Sequence, residues 1–398
     1  MDQGSDTLEQ SGSSQGAAAK LHANGTTAAT GAERALVIVF LLMLFAVPTT
    51  QLIIELRRGE SPQALDLFRQ KPTAKNLRAY ERDLEDSSRA AAWLRPLWQF
   101  FQFAVLNDGG EKALLGKDGW VYFGPGVRYM YERGVTHPDT GTPEQTVRVI
   151  RQFRDDLARK GIHLLIVVAP NKESIYPEML MARGWNSTDP ISATTRSVLD
   201  ELESAQIDVV NLFELFYQAK SRGGPPLYLK QDSHWSPIGM ALAAESTANR
   251  IRQWNELAAG TEDFVGHSVL VERTGDILRM LQVPALERHM GTEQVNCAQV
   301  VSRASGRGRL YQDVPNSEVL VLGDSFLRVY ETDEPGSAGF LAHLAKQLRR
   351  SVTSLVSDGG GSTQVREELA RRPELLNGRK VVVWELVERD LLNVKAVK

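Results

Sequence analysis

The feature that most constrains the fold is the apolar run Val319–Leu322, which is followed at once by Gly323, Asp324 and Ser325. Four consecutive apolar residues before such a turn indicate a strand that is buried on both faces, as in a parallel sheet. In α/β folds, ligands bind beyond the carboxyl ends of the parallel strands. The sequence therefore predicts that Ser325 lies at this edge of a sheet, where its hydroxyl is available as a nucleophile.

A second stretch has the same layout, because the short apolar segment Leu227–Leu229 is followed by Asp232, His234 and Trp235. A serine hydroxyl needs a base to accept its proton, and a carboxylate holds the second nitrogen of a histidine base. On an extended backbone, residues two apart place their side chains on one face. We therefore predict that Asp232, His234 and Ser325 form an acyl-transfer triad, that Trp235 limits water, and that N–H groups of the serine turn supply an oxyanion hole.

Each of these pieces also has an ordinary structural interpretation. Gly-Asp-Ser turns and Asp-x-His segments commonly form loops and helix caps, and Asp324 is expected to hydrogen-bond within its own turn. Metal binding by Asp232 and His234 would need further ligands, and no histidine-rich spacing supplies them. The sequence predicts neither a metal nor a cofactor.

Strand and helix patterns alternate through most of the remaining chain. The clearest helix begins at Thr142, where Pro143 and Gln145 complete a capping box, and it ends before Gly161. Further strands are predicted over 162–168, 207–210, 352–356 and 380–386, and further helices over 191–204, 212–221, 236–254, 338–350 and 363–371. This alternation predicts an α/β fold with a mainly parallel sheet flanked by helices. Residues 260–316 show no clear pattern and are predicted to be irregular.

The chain before residue 110 divides by composition into three segments. Residues 1–33 are rich in Gly, Ser, Ala, Thr and Gln, which predicts a disordered tail. Residues 34–56 contain an apolar run long enough for a single transmembrane helix. A cleaved signal peptide is the alternative, but no small-residue cleavage pattern follows the run. Residues 57–109 are predicted to be a helical linker, and residues 110–398 the catalytic domain.

Within the linker, aromatic side chains are concentrated between Trp93 and Phe103. Two interpretations of this segment remain open. It is either a surface for the membrane interface or a partner, or a face that packs on the main domain.

The distribution of charge bears on orientation and on partners. Lys20 and Arg34 precede the apolar run, whereas four cations follow it, namely Arg57, Arg58, Arg69 and Lys71. A literal count of these cations would place the bulk of the chain in the cytoplasm. The net charge is -3 and there is no dense basic tract, so nucleic acid is not an expected partner. The single cysteine, Cys297, excludes an intramolecular disulfide.

Taken together, five motifs resemble the alginate O-acetyltransferase family, the AlgJ/AlgX-like proteins with an SGNH-hydrolase-like domain. These motifs are the segments 116–122, 168–177, 232–235, 323–326 and 383–389, which occur in the family's order. As in that family, Asp232 and His234 precede Ser325, the reverse of the order in ordinary SGNH hydrolases. The resemblance implies an SGNH-hydrolase-like fold over roughly residues 110–398.

The resemblance also implies a mechanism and a setting. Ser325 would be the nucleophile that becomes acetylated, His234 the general base and Asp232 its orienting partner. Substrate or oxyanion contacts are predicted at five further positions, Lys172, Trp235, Tyr330, Trp384 and Arg389. The family acts in the periplasm on exopolysaccharide. The predicted partners are therefore an exopolysaccharide acceptor, a membrane-bound O-acyltransferase that donates acetyl, and the inner membrane.

Three functions remain open on the sequence alone. The leading one is polysaccharide O-acetyl transfer through an acetyl-serine intermediate, with alginate or another exopolysaccharide as the acceptor. A carbohydrate acetyl-esterase would use the same triad with water as the acceptor, and the difference lies in how well the site excludes water. A non-catalytic scaffold that binds polysaccharide within a secretion complex would suit the aromatic segment but not an intact triad.

Overall fold

The structure is a computed structural model in which the chain forms two compact units, residues 1–97 and residues 98–398. The residues that it describes are 31–62, 65, 71, 73, 76–78, 80, 88–106, 108–131, 141–180, 191–303, 308–357 and 361–397. Residues 1–30 of the predicted tail lie outside the described residues. Within the predicted linker, most residues from 63 to 87 also lie outside them. The proposed division into tail, anchor, linker and domain therefore stays a prediction.

The helices are α1 (Gly31–Arg57), α2 (Arg89–Leu106), α3 (Gly124–Tyr131), α4 (Pro143–Ala158), α5 (Lys172–Ile175), α6 (Pro177–Leu180), α7 (Ala193–Ser204), α8 (Leu212–Ser221), α9 (Pro237–Arg252), α10 (Asp276–Leu281), α11 (Pro284–Met290), α12 (Ser325–Arg328), α13 (Phe340–Leu348) and α14 (Gly361–Arg371). Among the described residues, 3-10 helices span Pro373–Leu376 and Glu388–Asn393. The strands are β1 (Asp108–Gly109), β2 (Ala113–Leu115), β3 (Val121–Phe123), β4 (His163–Ala169), β5 (Asp208–Asn211), β6 (Phe264–Arg273), β7 (Glu293–Ser302), β8 (Arg309–Leu310), β9 (Val319–Gly323), β10 (Thr353–Val356) and β11 (Val381–Val387).

Helix α1 carries the long apolar run of the first unit. Residues Arg34–Arg57 within it are long and apolar enough to cross a membrane, judged by length and composition. Twenty-four residues at about 1.5 Å rise per residue exceed the ~30 Å hydrocarbon thickness of a bilayer. The helix therefore suggests that the chain is anchored in a membrane.

The second unit is built on a five-stranded sheet in the order β10-β9-β11-β4-β5, and every pairing is parallel. All residues of β9 and β11 are buried, as the unbroken apolar run Val319–Leu322 predicted. Because parallel strands of this kind are covered on both faces, helices pack along them, among them α4 and α8 against β4 and α14 against β11. The predicted α/β class is confirmed.

Local sequence signals place several of these helices. Thr142 caps α4 by accepting the N–H of Gln145, whose side chain accepts the N–H of Thr142 in return, so the predicted capping box is confirmed. Ser236 caps α9 through the N–H of Gly239, and Pro237 occupies the first turn. Side chains at such caps bond N–H groups that the helix cannot satisfy itself.

Two sequence predictions are wrong. Leu227–Leu229 is not a strand of the sheet, because the segment makes only one antiparallel bridge, between Tyr228 and Trp235. Residues 260–316 are not irregular, since β6 and β7 pair antiparallel over ten residues each. The hairpin escaped detection because exposed residues fill the middle of β6 and remove the alternation that marks a half-buried strand.

The hairpin β6–β7 also holds the only cysteine. Cys297 lies in β7, opposite Val269 of β6, and is buried. Helices α10 and α11, which lie within residues 276–290, connect the two strands and pack against the rest of the second unit. There, Ile277, Leu278 and Leu286 form a small core with Phe103 and Val121. This small core fixes the start of α10 beside the loop that follows Tyr228.

Candidate active site

Ser325 lies immediately beyond the carboxyl end of β9, as the sequence predicted. The strand ends at Gly323, and Asp324 caps the short helix α12 by accepting the N–H of Phe326 at 2.9 Å. The Leu327 N–H donates to the carbonyl of Asp324 at 3.0 Å. The amides of Phe326 and Leu327 are therefore already bonded, so within this turn the predicted oxyanion hole depends on the backbone N–H of Ser325.

Asp232 and His234 lie on one tight turn rather than on an extended strand. The Oδ1 of Asp232 accepts two hydrogen bonds from His234, from the backbone N–H at 3.0 Å and from Nδ1 at 2.7 Å. The other ring nitrogen of His234, Nε2, lies 2.9 Å from the Oγ of Ser325. The three predicted residues thus form one continuous hydrogen-bonded series, and a single carboxylate fixes both the turn and the ring tautomer.

Charges around the imidazole favour its protonated form. Burial alone lowers the pKa of His234, but the carboxylates of Asp276 and Asp232 outweigh burial and raise that pKa above its ordinary value. Burial raises the pKa of Asp232, yet the hydrogen bond and charge of His234 lower it well below its usual range. Arg273 adds a cation on the far side, with its Nη2 3.7 Å from Asp232 Oδ2 and its guanidinium 4.8 Å from the ring centre of Tyr330. Asp232 is therefore an anion that stabilises the imidazolium.

Asp276 is a second carboxylate at the site that no motif in the sequence indicated. Its Oδ1 and Oδ2 accept the backbone N–H and the hydroxyl of Ser233, each at 2.6 Å, and Oδ2 lies 3.6 Å from His234 Nδ1. Burial, followed by the charge of Asp232, raises the pKa of Asp276 to about 6. The only signal in the sequence was an acidic residue after Gly275, which is common in ordinary turns.

Asp232, His234 and Asp276 also have the composition of a metal site, because their donor atoms lie within 4.8 Å of one another. Their hydrogen bonds oppose that use. Both nitrogens of His234 are engaged by Asp232 and Ser325, and both oxygens of Asp276 are engaged by Ser233. A cation would have to displace these bonds, so the arrangement suits proton transfer better than metal binding.

Of the five predicted substrate contacts, Arg389 is the one that is half-exposed beside the serine turn. It follows β11, and its guanidinium lies 5.2 Å from the ring centre of Phe123 and 5.6 Å from that of Phe326. The Arg389 charge also acts on the carboxyl of Asp324. Among the described residues no carboxylate pairs with Arg389 within 4 Å, so its donors remain available to a ligand.

The other four predicted contacts are fully buried and have structural partners. The Nζ of Lys172 lies within hydrogen-bond distance of four backbone carbonyls, those of Val121, Leu229, Lys230 and Asp232. Trp235 stacks on Phe340, the hydroxyl of Tyr330 donates to the carbonyl of Trp235, and Trp384 packs against Phe153 and Arg366. Because none of the four exposes more than 1% of its surface, these side chains support the site from the interior and are not accessible to a polymer.

Two acidic side chains, those of Asp324 and Glu385, lie behind the Ser325 hydroxyl. The N–H of Asp324 donates to Glu385 Oε2 on β11 at 3.3 Å. Burial raises the pKa of both carboxyls, and the nearby charge of Asp324 raises the pKa of Glu385 further. The raised pKa of Glu385 favours its protonated form, which lowers the negative charge behind Ser325.

Comparison with known proteins decides the family. Residues 113–388 match the family described as SGNH hydrolase-like domain, acetyltransferase AlgX. The chain belongs to this family. Membership in the AlgX family confirms the predicted resemblance and the SGNH-hydrolase-like fold, and it identifies the chain as an O-acyltransferase.

Individual relatives agree with the AlgX family assignment. The probable alginate O-acetylase AlgJ of Pseudomonas aeruginosa is 25% identical over 309 residues, which cover 74% of this chain and 74% of that protein. The alginate biosynthesis protein AlgX of the same organism is 23% identical over 284 residues, covering 68% of this chain and 54% of that protein. The fold is similar to that of the O-acetyltransferase domain of Pseudomonas putida AlgJ, with a TM-score of 0.53 and 21% identity over 70% of this chain and 91% of that domain.

Proposed function

We propose that the chain is a polysaccharide O-acetyltransferase that works through an acetyl-serine intermediate on Ser325. The observation that carries the proposal is the series from Asp232 through His234 to Ser325, with contacts of 2.7 and 2.9 Å. Such a series lets a neutral imidazole activate a hydroxyl for attack on an acyl carbon. Membership in an acetyltransferase family and the alginate O-acetylases among the relatives support the acetyl group and the polysaccharide.

The first half-reaction loads the enzyme. His234 Nε2 accepts the proton of the Ser325 hydroxyl as Oγ forms a bond to the acetyl carbonyl carbon of the donor. The tetrahedral intermediate then collapses, the bond to the donor oxygen breaks, and His234 gives its proton to that leaving group. Asp232 stabilises the imidazolium between these two transfers, and Ser325 carries the acetyl ester.

The second half-reaction transfers acetyl to a sugar. His234 accepts the proton of the acceptor hydroxyl, whose oxygen attacks the acetyl-serine carbonyl. Collapse of this second intermediate breaks the bond to Ser325 Oγ, which takes the proton back from His234. Water in place of the sugar hydroxyl would give an esterase, so exclusion of water decides between the two outcomes.

We assign recognition of the acceptor to Arg389. Its guanidinium is half-exposed beside Phe326, the neighbour of Ser325, and it has no carboxylate partner among the described residues. Alginate is a polymer of uronic acids, and a planar guanidinium binds a carboxylate through two parallel hydrogen bonds. Arg389→Lys keeps the charge but not this geometry. We expect it to raise the KM for a uronate oligosaccharide while leaving hydrolysis of a small acetyl ester unchanged.

Helix α1 bears on the location of the chain in the cell. We propose that α1 anchors the chain in the inner membrane, that the second unit lies in the periplasm, and that a membrane-bound O-acyltransferase supplies the acetyl group. The cations after the anchor favour the opposite orientation by simple count. A carboxyl-terminal alkaline phosphatase fusion tests the orientation, since this reporter is active only in the periplasm, and an inactive fusion would reverse the assignment.

The central test uses the full chain in detergent with a chromogenic acetyl ester and uronate oligosaccharides. Ser325→Ala and His234→Ala are each expected to lower turnover about 10⁴-fold or more, whereas Ser221→Ala, at an exposed serine on α8, keeps wild-type activity. Mass spectrometry is expected to detect one acetyl group on Ser325, which then moves to the sugar. Release of acetyl to water alone would favour the esterase. If both active-site variants kept the acetyl adduct and the wild-type turnover, the enzymatic assignment would be contradicted.

A further inference from the structure

Helix α2 is apolar on two opposite sides, and only one of them is covered. On one side Phe103 is buried in the small core with Val121. On the other side Trp98, Phe101 and Val105 are 57%, 43% and 60% exposed. These three residues are spaced i, i+3 and i+7, so they lie along one stripe of the helix.

The stripe formed by Trp98, Phe101 and Val105 is continuous rather than scattered. The rings of Trp98 and Phe101 stack on each other with their centres 5.6 Å apart. Earlier on the same helix, Trp93, Leu94 and Leu97 are also exposed. Single exposed apolar residues are ordinary on a protein surface, but an aromatic stripe of this kind marks a surface that binds something apolar.

The charges of α2 indicate which apolar surface fits. Its sequence contains no aspartate or glutamate, and its two charged residues, Arg89 and Arg95, are both cations. Tryptophan and phenylalanine on one face together with arginine are typical of helices that lie in the headgroup region of a bilayer. Anionic phospholipid attracts such a helix, whereas an acidic helix would be repelled.

The same chain brings a membrane within reach. Helix α1 ends at Arg57, about 40 residues before Trp98, so even a fully extended chain holds the stripe within roughly 140 Å of the bilayer. A tether of this length turns a weak surface affinity into an intramolecular contact at high effective concentration. A bilayer that holds α1 therefore lies within reach of the stripe.

We propose that the stripe of Trp98, Phe101 and Val105 docks on the phospholipid surface next to the anchor. The aromatic rings enter the boundary between headgroups and acyl chains, and α2 lies in the plane of the membrane. Because the opposite side of α2 is packed on the small core through Phe103, docking holds the acyl-transfer domain at the bilayer. The proposal rests on the membrane anchor and is independent of the chemistry at Ser325.

The experiment uses the full chain in vesicles of equal parts phosphatidylcholine and phosphatidylglycerol, with an environment-sensitive fluorophore on a single new cysteine. Cys297 stays unlabelled because it is buried and burial raises the pKa of its thiol to about 11. Val105→Cys reports on the stripe, Leu44→Cys on the anchor, and Lys160→Cys on an exposed position after α4. Doxyl-labelled lipid and aqueous iodide are the two quenchers.

We expect the labels at positions 105 and 44 to be quenched by doxyl lipid and protected from iodide, and the label at 160 to behave in the opposite way. Adding Trp98→Ser and Phe101→Ser should release the label at 105 to iodide while the label at 44 stays in lipid. Iodide access at 105 in the otherwise unchanged chain would overturn the proposal. Protection at 105 from both quenchers would also overturn it, because protein rather than lipid would cover the stripe. Iodide quenching of the label at 44 would instead show that α1 is not in the membrane. That outcome is distinguishable from a failure of the stripe to dock.

Discussion

His234 is held between two carboxylates that differ in how readily they ionise. Asp232 is anionic throughout the working pH range, because the hydrogen bond and charge of His234 overcome burial and lower its pKa. Asp276 has its pKa raised to about 6 by burial, so its charge changes close to neutrality. Arg273, Arg389 and Asp324 complete the charged groups around the imidazole. The state of Asp276 therefore sets how strongly His234 holds its proton.

Asp276→Asn tests this arrangement through the pH profile of kcat/KM for a small acetyl ester. A base must be neutral, so activity of the wild type should rise with pH through a midpoint above the ordinary pKa of a histidine, because the carboxylates of Asp276 and Asp232 raise the pKa of His234. Removing the Asp276 charge makes the imidazolium less favourable. The midpoint is therefore expected to fall relative to that of the wild type. A midpoint that stays in place would mean that Asp276 acts only on the shape of the turn.

Gly275 is needed because nothing larger than hydrogen fits between its Cα and the Asp232 loop. A Cβ at this position would lie 1.9 Å from the carbonyl oxygen of Gln231 and 2.7 Å from the backbone N of Asp232. Gly275→Ala should displace the turn and lower kcat about 10²-fold, since misplacement by about 1 Å has that effect. Gly266→Ala on the same hairpin is the control, because its nearest neighbour is the flexible Nζ of Lys346 at 3.3 Å. Equal activity of the two variants would contradict the steric argument.

At the scale of elements, Lys172 joins the start of α5 to β3 and to the loop that carries Asp232 and His234. Its buried ammonium bonds the carbonyl of Val121 and, at 2.7 Å, that of Asp232. Lys172→Met leaves these carbonyls unpaired and should lower the free energy of unfolding by about 3–5 kcal/mol in urea titrations. Lys160→Met, at an exposed lysine, should change it by less than about 0.5 kcal/mol. Unchanged stability with a raised KM would instead restore Lys172 as a substrate contact.

The sequence predicted those elements whose signals are local. The run Val319–Leu322 specified a doubly buried strand, and Thr142 specified a capped helix, because neighbours in the chain decide both. The sequence could not predict that β6 pairs with β7, or that Asp276 lies beside the loop of Asp232. Both depend on contacts between residues far apart in sequence. For the same reason the buried roles of Lys172 and Trp384 were invisible, since neither composition nor spacing reports on a tertiary partner.

At the scale of the whole molecule, the interior carries acids that are easier to bury when protonated. Burial raises the pKa of Glu173 to about 7 and that of Glu331 to about 8. A carboxyl whose pKa is raised on folding contributes stability that is present at low pH and is lost as pH rises through the folded value. We therefore expect the free energy of unfolding to fall by on the order of 2 kcal/mol between pH 6 and pH 8.

Urea titrations at the two pH values measure this fall, and Glu331→Gln isolates one contributor. A glutamine oxygen can still accept the N–H of Ala342, as Glu331 Oε2 does at 3.0 Å, so the fold is retained while the titration is removed. The variant should show a smaller difference between pH 6 and pH 8 than the wild type. His343 does not interfere, because burial lowers its pKa to about 4 and it is neutral across this range. Stability that rises with pH would refute the sign of the effect.

The position of Cys297 in the hairpin has a consequence for how the molecule meets oxidants. Peroxides and disulfides react with the thiolate, and a buried thiol with a pKa of about 11 supplies almost none at neutral pH. No second cysteine exists in the chain to pair with it. The protein can therefore mature without a disulfide catalyst, and a change in redox potential leaves its covalent structure as it was.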